Sequence, residues 1–197
     1  LKIRVRDHLN MFKPFSKLPI MVCRFVLMSS ALMILLAFCG ASQAHELRPA
    51  VADVTVTQSK IQVELQLAVE TLLAGIDVTK VMDTDEAPQA ETYDQLRGLT
   101  DVALAELVRA EWPLFASGLL IEGAGLPKLT GVNVISEPNL DLPRDTILML
   151  QADLPPGNGA VSLGWIVQNG GLVVRHGDGH NAYAAFLEGG EMSARLP

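Results

Sequence analysis

The sequence predicts a mainly β, sandwich-like domain of about eight short strands with a helical insertion at about residues 92–116. Apolar and polar residues alternate with period two in many short segments, which is typical of strands buried on one face. Turn-forming residues separate these segments at intervals of about 8–12 residues, as in β-sandwiches and open barrels. Only one stretch of the chain has helical spacing.

The first two strands are predicted at Val51–Thr57 and Lys60–Val69. In the second, the odd-numbered residues 61 to 69 are apolar and the even-numbered residues 62 to 66 are polar. The two faces of a strand alternate in this way when only one of them is buried. Gln58 and Ser59 separate the two runs, and so short a connection predicts an antiparallel hairpin.

The helical insertion is predicted after a loop at Asp77–Pro88. Apolar residues between Thr92 and Phe115 recur at spacings of three, four, five and seven, which approximates the stripe of a helix packed on a sheet. Thr100 and Asp101 interrupt this stripe. Either side chain is a favoured N-cap, so a second helix is expected to begin there.

Six further runs with strand character follow Gly118. They are Leu119–Glu122, Gly131–Ile135, Thr146–Ala152, Ala160–Val167, Gly171–Arg175 and Ala182–Leu187. Asn169-Gly170 lies between two of these runs, and this dipeptide is typical of a type I′ hairpin turn.

The first 44 residues are predicted to be processing sequence. Residues 1–20 are interpreted as an upstream or alternative-start segment, and residues 21–44 as a secretory signal peptide. Arg24 precedes an apolar run of about 15 residues. Small residues follow this run and end at Ala44, where a signal peptidase is expected to cleave the chain. The run is shorter than the ~20 residues needed to cross a bilayer. An uncleaved anchor and a lipoprotein modified at Cys39 stay open as alternatives.

We therefore expect residues 45–197 to form a single soluble β-rich domain. Its predicted location is the periplasm, or another compartment outside the cytoplasm, with association to a membrane as an option. Both cysteines of the chain, Cys23 and Cys39, precede this domain, so no internal disulfide is expected.

The charge of the predicted domain excludes one class of partner. The first 44 residues hold six of the 15 basic residues and one of the 22 acidic residues. The predicted domain therefore has nine basic and 21 acidic residues, and its formal charge is −12. A field of that sign repels nucleic acid and anionic lipid headgroups. We expect no nucleic-acid partner.

His45 is the first candidate metal ligand, because it would begin the mature chain. A free α-amino group beside an imidazole offers two nitrogens to one transition metal, and copper or nickel binds most strongly to such a pair. An ordinary N-terminus that happens to carry a histidine is the alternative interpretation.

The second candidate metal site is the segment from His176 to His180, in which Asp178 lies between the two histidines. Two imidazoles and a carboxylate are suitable ligands for a transition metal. The glycines at 177 and 179 argue against a helix, so the spacing does not fix the geometry. Asp178-Gly179 is equally typical of a plain hairpin turn without a ligand.

Motifs of catalysis are missing from the predicted domain. It has no cysteine nucleophile, no serine in a G-x-S-x-G context, no phosphate-binding G-x-x-x-x-G-K-[ST] loop and no H-E-x-x-H pair. Acidic residues are numerous, but the sequence does not single out an acid/base couple. We expect a protein that is not an enzyme and has no catalytic residues.

His45–Ala50 directly after a signal peptide resembles the mature start of HupE/UreJ-type proteins, the hydrogenase/urease accessory family. Other segments are similar in the same order: Glu70–Ile76, Ala87–Leu99, Trp112-Pro113, Leu163–Trp165, Leu172–Arg175 and Tyr183–Ser193. In that family an extracytoplasmic domain precedes a multi-helix membrane domain linked to the transport of nickel or other metals. This sequence ends at Pro197 without such a domain, so we expect a truncated or split product or a domain that works alone.

The resemblance implies an extracytoplasmic accessory domain that assists uptake of nickel or another transition metal beside a membrane permease. The alternative is a metal-independent periplasmic interaction domain that docks on a membrane partner. A secreted hydrolase with a pair of acidic residues is a third hypothesis, and it requires two convergent carboxylates in a pocket.

Overall fold

The structure, a computed structural model, describes residues 47–157, 160–178 and 182–197. This part of the chain is mainly β, with eight strands in two sheets and a helical insertion, which confirms the predicted fold class. The strands are β1 (Ala50–Val56), β2 (Lys60–Leu67), β3 (Leu119–Glu122), β4 (Lys128–Val134), β5 (Thr146–Asp153), β6 (Ser162–Trp165), β7 (Leu172–His176) and β8 (Tyr183–Leu187). The helices are α1 (Val69–Ala74), α2 (Ala90–Arg97) and α3 (Asp101–Phe115). The predicted leader lies outside the described residues.

Six strands form the larger sheet, in the order β4-β5-β2-β1-β7-β8. All neighbours in it are antiparallel except β1 and β7, which run parallel. β1 and β2 form the predicted hairpin, with Val54 opposite Val63, and the Thr57 N–H closes the turn on the Lys60 carbonyl at 2.8 Å. The two central strands were therefore predicted with the correct partner.

One face of the larger sheet carries the core. In β2, Ile61, Val63 and Leu65 are buried while the residues between them are exposed, as the alternation predicted. Leu104 and Val108 of α3 pack in the same cluster of buried residues. Burial of each such side chain contributes roughly 1.5–3 kcal/mol, so the helical insertion and the sheet are stabilised together.

One predicted strand end is wrong. Val69 was expected to extend β2, but it begins α1, which ends at Gly75 with φ +71°. The predicted helical stretch is present as two helices, α2 and α3, and the second begins at Asp101 as expected. The Thr100 hydroxyl caps α3 by accepting from the Ala103 N–H at 3.2 Å. Among the described residues, no helix combines the length and the apolar character needed to cross a membrane.

A buried ion cluster fixes the insertion to the sheet. The Glu70 carboxylate of α1 accepts a hydrogen bond from Arg144 Nε at 2.9 Å and lies 3.5 Å from Arg97 Nη1 of α2. Arg144 Nη1 also donates to Asp101 of α3 at 3.1 Å, and Arg97 Nη2 donates to the Asn139 carbonyl at 2.9 Å. All three helices are thus connected to the segment between β4 and β5.

The smaller sheet consists of β3 and β6, and it corrects one predicted hairpin. Asn169-Gly170 was expected to join two paired strands, but β6 pairs with β3 while β7 pairs with β1. A type I′ turn needs positive φ at both central residues. Gly170 has φ +73°, whereas no residue other than glycine has positive φ in the described part of the chain. Residues Val167–Asn169 form a 3-10 turn instead.

Candidate functional site

A cavity of about 480 Å³ lies at the end of the larger sheet where β1 and β7 begin and β2 ends. The parallel pairing of β1 with β7 and the antiparallel pairing of β1 with β2 bring these three termini together. α1 starts two residues after β2, so Ala68, Thr71 and Leu72 form a second wall. A cavity of this size is in the range that holds a small ligand or a few side chains of a partner.

Aromatic side chains contribute much of the cavity wall. Trp165 is anchored because its indole N–H donates to the Gly170 carbonyl at 2.8 Å. Phe186 also lines the cavity, yet its side chain is 61% exposed. A Cβ at position 171 would lie 2.7 Å from the Phe186 ring, so the glycine there allows the ring to pack close to the backbone. The exposed part of this ring adds apolar surface beside the cavity.

Tyr93 of α2 is the third aromatic residue of the wall, and it is almost fully buried. Burial raises the pKa of Tyr93 to about 12, and the nearby Glu70 charge acts in the same direction. The phenol is therefore neutral at physiological pH. A neutral phenol both donates and accepts hydrogen bonds.

Polar side chains joined by hydrogen bonds line another part of the cavity. Arg48 Nη2 donates to Asp145 Oδ1 at 3.0 Å and to the Pro143 carbonyl at 3.3 Å, and Gln66 donates to Asp145 Oδ2 at 3.0 Å. A second cavity, of about 340 Å³, is lined by the same Arg48, Pro143 and Asp145 and by Ile135 and Leu142. The two cavities therefore share Arg48, Pro143 and Asp145 as lining residues, and we refer to them together as the divided groove.

The predicted metal ligands are only partly placed. His176 is the last residue of β7, and its Nδ1 lies 2.9 Å from the Val54 carbonyl of β1. Asp178 follows in the connection to β8 and is exposed. His45 and His180 lie outside the described residues. Within residues 47–157, 160–178 and 182–197, no group of three or more His, Cys, Asp or Glu side chains is arranged to hold a metal ion.

The connection from β7 to β8 joins antiparallel neighbours, with His176 opposite Tyr183. The hairpin predicted at Asp178-Gly179 is therefore present as a strand pair, although Gly179 itself lies outside the described residues. Gly177 has φ +70°, a conformation that favours glycine in a turn.

Sequence reasoning missed the cavity. Its walls come from positions as distant as Arg48 and Phe186, and only the long-range pairing of β1 with β7 brings them together.

Comparison of the chain with models of known protein families finds no match. Comparison with curated proteins finds no similar sequence. The resemblance to HupE/UreJ-type proteins therefore stays a prediction.

Proposed function

We propose that this protein is a non-enzymatic accessory domain outside the cytoplasm, which docks on a membrane partner through the divided groove. The observation that carries the proposal is the cavity of about 480 Å³ at the end of the sheet, with exposed Phe186 at its wall. Burying that ring against a partner would remove apolar surface from water, which is the main favourable contribution to most protein associations.

The groove has the composition of an interface. Aromatic and aliphatic side chains form its wall, and the Arg48–Asp145 pair supplies a polar element between the two cavities. Interfaces concentrate their binding energy in a few aromatic and arginine residues that occupy or line pockets. Three polar side chains of the groove are also held in place, because Asp145 accepts hydrogen bonds from both Arg48 and Gln66.

Site-specific photo-crosslinking in cells tests this proposal. A photoreactive phenylalanine analogue placed at position 186 is expected to give an adduct with an integral membrane protein, identified by mass spectrometry. The matched control is Leu114 of α3, which is exposed (72%) and apolar but does not line the groove. Equal labelling at both positions, or no membrane adduct at 186, would contradict the docking function.

Metal handling is the second candidate function, and a specific contact favours it. Nδ1 of His176 lies 2.9 Å from the Val54 carbonyl. A hydrogen bond from Nδ1–H to this carbonyl fixes the tautomer and leaves the lone pair on Nε2 as a ligand, an arrangement found in most metal-binding histidines. Asp178 lies two residues further along the chain. His45 and His180 are the remaining predicted ligands for nickel or copper.

Titration of the protein with nickel and with copper, followed by calorimetry, tests this second candidate. His176→Ala and His45→Ala are each expected to weaken binding relative to the parent protein. The titrated protein is the cleaved form that begins at His45, and Glu106→Ala, at an exposed position of α3, is the control. If neither domain variant differs from the parent, metal handling at these histidines is wrong. The docking proposal predicts, in addition, that a chelator leaves the Phe186 adduct unchanged.

A further inference from the structure

We infer that the divided groove binds an extended peptide segment in which apolar side chains are flanked by lysine or arginine. This inference rests on the proposed docking function and specifies the chemistry of the partner. It is argued from the two cavities, from the charges that border the larger one, and from the position of Arg48.

The two cavities favour a peptide over a compact ligand. They have volumes of about 480 and 340 Å³ and share a wall at Arg48, Pro143 and Asp145. Each has apolar lining, from Trp165 and Phe186 in the first and from Ile135 and Leu142 in the second. An extended chain places its side chains at regular intervals, so one segment can put an apolar side chain into each cavity while its backbone crosses between them.

Arg48 is suited to meet that backbone. Among the described residues, the hydrogen bonds of Arg48 all use Nη2, which is held by Asp145 and Pro143. A guanidinium has five N–H donors in a fixed plane, so Arg48 can donate to a peptide carbonyl while Nη2 holds Asp145 and Pro143. Because Asp145 neutralises its charge at 3.0 Å, Arg48 does not make the groove attractive to an anion.

The segment of the insertion that contributes to the wall of the larger cavity is rich in acidic residues. Three of its lining residues have acidic neighbours in the sequence: Val78 follows Asp77, Thr84 lies between Asp83 and Asp85, and Tyr93 precedes Asp94. Residues 77–94 contain six acidic residues and a single basic one, Lys80, which pairs with Asp77 at 2.8 Å. Charge of this sign attracts and orients a cationic partner.

Three fluorescein-labelled heptapeptides test the inference on protein purified from the full chain. The first has two lysines on each side of Leu-Phe-Leu, the second replaces the lysines by glutamates, and the third keeps the lysines but replaces the centre by Ser-Gly-Ser. We expect the first to bind more tightly than either other peptide by about tenfold or more, with an affinity that falls as salt is added. Equal affinity for the first two peptides would overturn the inference.

A pair of matched double variants tests the position of the contact. Glu86→Gln with Asp94→Asn removes two exposed acidic charges from the segment that contributes Thr84 and Tyr93 to the cavity wall. Glu64→Gln with Glu106→Gln removes two exposed acidic charges from β2 and α3, outside the cavity lining. The first variant is expected to lose about three- to tenfold in affinity for the lysine peptide, and the second less than about twofold. Equal losses of affinity in the two variants would show that the peptide responds only to the overall negative charge of the protein, and would contradict binding in the groove.

Failure of this inference is distinguishable from failure of the docking function. If the Phe186 adduct forms in cells while the lysine peptide shows no preference, docking stands and the cationic chemistry is wrong. If the adduct is absent, the docking function itself is wrong, whatever the peptides do. Phe186→Ala, at an exposed position, gives a further variant that is expected to fold and to weaken binding of the lysine peptide.

Discussion

Glu70 is the residue on which the helical insertion depends. It is completely buried and shared by two buried arginines, Arg97 and Arg144. A buried ion pair contributes little relative to an apolar replacement, but removal of one partner leaves an uncompensated charge. Here the loss of the Glu70 carboxylate would leave two buried guanidinium groups without their shared partner.

Glu70→Gln is therefore expected to lower the free energy of unfolding by about 3–5 kcal/mol, the usual effect of breaking a buried pair from one side. Urea unfolding followed by circular dichroism measures it. Asp53→Asn is the matched control, since Asp53 pairs with Arg175 at the surface with both side chains about half exposed. This control is expected to change stability by no more than about 1 kcal/mol. Similar losses in the two variants would refute the role given to Glu70.

Tyr93 gives a prediction for alkaline pH. The folded protein holds the phenol proton more tightly than the unfolded chain, because burial raises the pKa of Tyr93 from 10.0 to about 12. The resulting stabilisation is complete below pH 10 and is lost as the pH rises through this interval. Stability measured between pH 10 and 12 should fall more steeply in the parent protein than in Tyr93→Phe. Parallel curves would show that Tyr93 ionises freely in the fold.

At the scale of elements, the alternation of apolar and polar residues predicted the strands correctly where one face of the strand is buried. β1, β2 and β5 begin or end within about one or two residues of their predicted bounds, within the usual uncertainty of such limits. β4 begins three residues before its prediction, because a bulge between Leu129 and Gly131 interrupts the alternation. β6 is shorter than predicted, and all four of its residues are buried, so alternation could not mark its ends.

Local signals failed where distant contacts decide the structure. The sequence of α1 begins with Val69, which continues the alternation of β2, and the six-residue helix is too short to show its own period. The Asn169-Gly170 hairpin was wrong because β7 pairs with β1, a strand more than a hundred residues earlier. No spacing of residues reports such a pairing.

Thr100 is the predicted N-cap of α3 that the structure confirms. Its hydroxyl accepts the Ala103 N–H at 3.2 Å. Thr100→Ala is expected to lower the free energy of unfolding by about 0.5–2 kcal/mol. Thr92→Ala within α2 is the control, because its side chain is exposed and alanine favours a helix. A loss in the control as large as that in Thr100→Ala would mean that the cap contributes nothing particular.

At the scale of the whole molecule, the groove follows from topology. It exists because the parallel β1–β7 pair aligns the starts of two strands with the end of β2, and because α1 turns away from the sheet at that point. Its residues come from across the chain, so composition and spacing could predict the fold class and the acidic charge but not the cavity. The metal ligands were predicted from residue types alone, and of the two that the structure describes, His176 and Asp178, the first has a supporting contact.

The most direct test of docking through the groove compares the yield of the membrane adduct at position 186 in two backgrounds. Ala68 lines the larger cavity, and Ala68→Phe places an aromatic ring in that space. Ala184→Phe, at an exposed position of β8 outside the cavity lining, is the control, and circular dichroism verifies that both variants fold. We predict that the adduct disappears in Ala68→Phe and persists in Ala184→Phe. An unchanged adduct in folded Ala68→Phe would contradict docking through this groove.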